Sequence, residues 1–77
     1  MKYLYHITQE KFVSNIIANG IQNVPTIFLT NDVKTNQDEN LFILKINIEG
    51  LEIETKKETY ICRNYIDFNR IEVVNSN

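Results

Sequence analysis

The chain has 77 residues, 43% of them hydrophobic, with eight Lys and Arg against ten Asp and Glu for a formal net charge of −2. Such a length supports one domain with one modest core, and the balanced composition excludes intrinsic disorder over most of it. The cations are scattered, Lys56 and Lys57 being the only adjacent pair, which excludes the basic stripe that grips a nucleic-acid backbone.

The segment Lys2 to His6 reads as a strand, with Tyr3 and Tyr5 on one face and Leu4 and His6 on the other. Thr8 is placed to cap a following helix, and Glu10 falls in its first turn, where the helix dipole favours an acid. Phe12, Val13, Ile16 and Ile17 recur at helical spacing as one apolar stripe. Gly20 ends the helix as a C′ glycine, and Ile21 is set to fold back on it.

Pro25 marks the entry to a short, largely buried strand from Thr26 to Thr30. Asn31 to Asn40 is polar, rich in turn formers and without apolar periodicity, and predicts a loop. Leu41 to Ile48 is the strongest strand: Phe42, Leu44, Ile46 and Ile48 share one face, while the other begins apolar at Leu41 and Ile43 and turns polar at Lys45 and Asn47. That pattern predicts a central strand covered along one side and only at its start on the other. Glu49 and Gly50 make a turn, Leu51 to Glu54 a brief edge strand, Glu58 to Ile66 a further strand, and Arg70 to Val74 the last. The tail from Asn75 is expected to fray.

The class is therefore α+β, one domain over 1–77, with one N-terminal helix packed on a small, mostly antiparallel sheet in the order β-α-β-β-β-β-β. Cys62, the lone cysteine, can form no internal disulfide and reads as a small buried hydrophobe. One His and one Cys cannot build a structural zinc site. Asp32 and the acids Asp38 and Glu39 lack the alternate spacing of a calcium loop, so no metal is expected. No apolar run resembles a signal peptide or a membrane span, and a cytoplasmic location is expected.

Tyr5-His6-Ile7-Thr8, then Ile16 to Ile21, then Ile27 to Asp32 resemble the opening of ADP-ribosyltransferase-fold proteins. The pattern is similar to that of RNA 2′-phosphotransferases and of toxins that ADP-ribosylate DNA bases. The later Leu41 to Ile53 and Tyr65 to Val74 also resemble strands of that fold. The resemblance implies a reduced ADP-ribosyltransferase fold with NAD as the cofactor. It further implies that His6 bonds the ribose hydroxyl and that backbone groups of Ile7 and Thr8 flank the nicotinamide amide. Glu58 would be the acid that stabilises the oxocarbenium-like ribose. The sequence departs from the family where Asn31 to Asn40 lacks a helix and its stacking aromatic, a role left to Tyr60 or Tyr5.

Two functions follow from this reading. One is an enzyme, with His6 and Glu58 catalytic and Tyr5, His6, Ile7, Thr8 and Tyr60 holding NAD, that modifies a protein or nucleic acid. The other is a catalytically inactive binding protein on the same scaffold, of the kind phages and mobile elements use to inhibit a host enzyme or defence system by stoichiometric contact. A host protein is the expected partner, and exposed strand edges in so small a sheet allow a homodimer.

Overall fold

A computed structural model of the chain describes residues 2–22, 26–31, 40–57 and 59–74. Its elements run β1 (Tyr3–Gln9), α1 (Glu10–Asn19), β2 (Ile27–Leu29), β3 (Leu41–Asn47), β4 (Ile53–Lys56), β5 (Thr59–Cys62), a 3₁₀ turn (Phe68–Arg70) and β6 (Ile71–Val73). Among the described residues the molecule is an α+β globule with one helix, and every strand pairing is antiparallel.

The expected single sheet is two. β3 lies between β1 and β6, and β5 lies between β2 and β4. The two sheets meet at one bridge, where Tyr5 and Thr30 exchange both backbone hydrogen bonds at 2.8 Å. Read through that bridge, the strands run β4-β5-β2-β1-β3-β6. β1 and β2 part after this bridge, while on its other edge β1 stays paired to β3 along its whole length, from Tyr3 opposite Asn47 to Gln9 opposite Leu41.

The core lies between the inner faces. Leu4, Leu44 and Ile46 come from the first sheet and Ile27, Leu29 and Cys62 from the second, with Ile16 of the helix, Ile21, Ile48 just past β3 and Ile66 completing it. β3 follows its pattern: Leu44 and Ile46 are sealed on the inner face, Ile43 is buried on the other, and Lys45 and Asn47 are only partly covered. Residues of β2 alternate where three consecutive apolar side chains suggested full burial. Ile27 and Leu29 point inward, and the Phe28 ring is 59% exposed.

The helix cap falls one residue later than expected, at Gln9 rather than Thr8. Thr8 belongs to β1, and Gln9 stands at the cap position with no side-chain bond. The ladder to β3 runs through Gln9, so Thr8 remains extended opposite Phe42. Of the apolar stripe, Ile16 is buried and Val13 half-buried, whereas Phe12 and Ile17 lie largely exposed. Gly20 ends the helix at φ +82°, its N–H donating to the Ile16 carbonyl at 2.7 Å. Ile21 then folds back into the core and bridges Ile66. The strand expected from Glu58 to Ile66 stops at Cys62, and the last strand is preceded by the 3₁₀ turn, capped by the Asp67 carboxylate. Arg70 clasps the turn at Glu49 and Gly50, its guanidinium donating to the carbonyls of Asn47 and Glu49 at 3.0 and 2.8 Å. Pro25, most of the polar loop with Asp32, Glu58 and the tail from Asn75 lie outside the described residues.

Candidate functional site

His6 stands where the two sheets part. Tyr5 gives its N–H and C=O to Thr30 of the second sheet. Strand alternation then turns the backbone groups of Leu4, His6 and Thr8 toward β3, and those of Ile7 toward β2. A ladder continuing past the bridge would pair Ile7 with Phe28. Instead the His6 ring intervenes, and its Nδ1 lies 3.0 Å from the Phe28 carbonyl.

That contact determines the proton. A carbonyl oxygen only accepts, so Nδ1 carries the hydrogen and donates it; in the neutral ring Nε2 is then left as an acceptor. Ile7, whose ladder partner has been displaced, turns its N–H and C=O into the gap with no backbone partner among the described residues. The site thus offers an imidazole acceptor beside a backbone donor and acceptor.

The gap is a groove of about 430 Å³ lined by Tyr5, His6, Ile7, Phe28, Leu29, Thr30 and Thr59. Its size falls within the range of small-ligand sites. Phe28 and Ile7 are the exposed apolar members, and Thr30 and Thr59 add hydroxyls. A second hollow of about 520 Å³ beside the first helical turn is lined by Gln9, Glu10, Lys11, Ser14 and Asn40. It holds neither an imidazole nor an aromatic ring.

The structure brings together three of the residues singled out from the sequence: Tyr5, His6 and Ile7. Thr8 pairs with Phe42 and does not line the groove. Tyr60 packs against the core, its hydroxyl accepting from the Asn31 amide at 3.3 Å, and it does not line the groove either. Glu58 is outside the described residues; Thr59, the next in sequence, lines the groove. Sequence reasoning missed Phe28. The signal available was the strand period of two, which sends the middle of Ile27-Phe28-Leu29 to the opposite side from its neighbours.

Beyond Phe28 and Thr59, the outer face of the second sheet carries Lys56, Lys57 and Arg63 around a further hollow of about 430 Å³. Arg63 is hydrogen-bonded to the Glu54 carboxylate on the same face. This bond, together with the charge of Arg63, holds the Glu54 carboxyl below its ordinary range, and Glu54 raises Arg63 in return. Cys62 is fully buried, its thiol directed at the Asn64 carbonyl.

No group of three or more His, Cys, Asp or Glu able to hold a metal occurs among the described residues, and none of their helices is long and apolar enough to cross a membrane. No protein-family model and no curated protein matches the chain.

Proposed function

We propose that the groove at the sheet split binds the nicotinamide end of NAD and that the chain transfers ADP-ribose to a protein or nucleic acid. The observation that carries this reading is the fixed tautomer of His6. An imidazole held by Phe28 presents Nε2 as an acceptor to a hydroxyl in the groove. The Ile7 N–H and C=O suit the carbonyl and amino groups of a planar carboxamide, and the Phe28 ring offers a wall for stacking.

When bound, NAD supplies a nicotinamide leaving group whose departure leaves positive charge on the ribose. The task of the protein is to hold the amide, fix the ribose hydroxyl through His6 and set a negative charge beside that carbon. Glu58, preceding Thr59 in the chain, is the carboxylate assigned to this task. At about 4 Å and an effective dielectric near 20, one carboxylate lowers the energy of a unit positive charge by about 4 kcal/mol. That corresponds to roughly a thousandfold in rate.

The test is an NMR titration with nicotinamide, together with release of nicotinamide from NAD. The amides of Ile7, Phe28 and Thr59 should shift, with a Kd of about 1 mM for so small a ligand. His6→Ala should weaken the response to NAD, which carries the ribose, more than that to nicotinamide, and Glu58→Gln should keep both while losing turnover. Absence of any response at roughly ten times that concentration would overturn the proposal. A second reading, a stoichiometric binding protein without catalysis, is favoured by one observation, the exposed Phe28 ring beside Lys56 and Lys57.

A further inference from the structure

We infer that the hollow on the outer face of the second sheet docks an acidic segment of a partner protein that carries one apolar side chain. Among the described residues the hollow is lined by Thr26, Phe28, Lys56, Lys57, Thr59, Ile61 and Arg63, none of them acidic, with Glu54 beside it opposite Ile61 and paired to Arg63. Three of the chain's eight Lys and Arg therefore converge on one spot of a molecule whose net charge is −2. The inference rests on Lys56 and Lys57, since Arg63 is paired with Glu54.

The floor is apolar. Phe28 and Ile61 stand directly opposite each other in the β2–β5 ladder, and the Phe28 ring is left in solvent although nearly all of Ile61 is covered. An exposed aromatic ring rimmed by cations matches an apolar anchor flanked by carboxylates, by charge complementarity and by the anatomy of interface hot spots. The hairpin that carries the lysines is held without a glycine. Lys56 pairs with Thr59, and Lys57 takes φ +57°, a conformation costly for a side chain other than Gly, Asn or Asp. That turn keeps two adjacent lysines at the tip.

A nucleic-acid strand fits the same face less well. It would meet a single exposed ring rather than a row of stacking platforms, and the overall negative charge of the protein opposes a long polyanion. Phe28 and Thr59 border both this hollow and the His6 groove, so a segment docked here runs past the imidazole. Docking depends on the residues of this hollow alone, and it stands or falls separately from the nicotinamide reading.

The test is fluorescence anisotropy and amide-shift mapping with a labelled peptide of one leucine flanked on each side by glutamates. The comparison probes are the same peptide with glutamine, the same with lysine, and an oligothymidylate. The glutamate peptide should bind with shifts confined to Thr26, Phe28, Thr59 and Ile61. Lys56→Gln with Lys57→Gln should weaken it about tenfold, and Phe28→Ser, a change at an exposed site, by a similar factor. Raising salt from about 50 to 300 mM should weaken it several-fold, because exposed charges are screened. Nicotinamide shifts should survive the double lysine change, which separates the two readings. Equal binding of the glutamine or lysine peptide, tighter binding of the oligothymidylate, or no binding of any probe by a folded protein would overturn the inference.

Discussion

Replacing Gly20 with alanine probes the joint that closes the core. Gly20 has φ +82° and ψ −175°, a region that essentially only glycine occupies. An alanine held there costs about 1–3 kcal/mol from backbone strain alone. Space adds to it. A Cβ on Gly20 would lie far inside van der Waals contact of the Ile66 carbonyl oxygen, 2.5 Å from the Tyr65 hydroxyl and 2.8 Å from Tyr65 Cζ. Neither neighbour is idle. The Ile66 carbonyl accepts from the Ile21 N–H at 2.9 Å, the Ile66 N–H donates back at 3.0 Å, and the Tyr65 hydroxyl donates to the Asn19 carbonyl. Moving them sacrifices two or three hydrogen bonds of about 1 kcal/mol each in part, for a total near 3–4 kcal/mol.

A domain of 77 residues has roughly 4–12 kcal/mol to lose. Gly20→Ala should therefore lower Tm by about 18–25 °C in a thermal melt followed by circular dichroism. In urea the midpoint should fall with an unchanged slope. Tyr65→Phe removes the hydroxyl that the new methyl meets, so the double variant should be more stable than the sum of the singles by about 1 kcal/mol. A Gly20→Ala protein within about 1 kcal/mol of the native one would refute the argument, as would strict additivity with Tyr65→Phe.

Other outcomes follow from the same geometry. Leu44→Ala, at a fully buried position of the central strand, should cost about 3 kcal/mol in urea unfolding. His6→Ala should cost only about 1 kcal/mol, since water can reach the freed Phe28 carbonyl, while the response to NAD weakens; a loss above 3 kcal/mol would mark His6 as structural instead. The Cys62 thiol should react with a disulfide reagent at the rate of unfolding rather than of encounter, measured by absorbance with and without urea. In an NMR pH titration Glu54 should ionise below the usual carboxylate range. Because its folded value is the depressed one, the pair contributes above the unfolded value and is lost as pH falls through the folded one; Arg63→Gln or high salt should erase the shift.

Much of the fold is written locally. The helix, its acid in the first turn and its glycine terminus follow from a 3.6-residue stripe and one conformationally free position, and neither needs a distant partner. The two faces of Leu41 to Asn47 are read from alternation, because a central strand sees the core on both sides only at its start. The lone histidine singled out from the sequence lines the groove at the sheet split. What the sequence could not convey is long-range pairing. Whether β1 continues along β2 or leaves it after Tyr5 depends on contacts more than twenty residues apart, and on an imidazole taking a carbonyl that Ile7 would otherwise have bonded.

The same cause underlies the misplacement of Thr8 and Tyr60. Thr8 is a fair helix cap by composition, but the long ladder to Leu41 kept it extended, since seven paired residues outweigh one capping bond. Tyr60 and Phe28 are both aromatics in short apolar strands, and the sheet's pleat alone decided that the first points to the core and the second to solvent. Composition and periodicity thus determined which segments become helix or strand, because those preferences act over a few bonds. The split between the sheets, the groove it opens and the convergence of Lys56, Lys57 and Phe28 were decided only in three dimensions, where strand register brings together residues that no local pattern links.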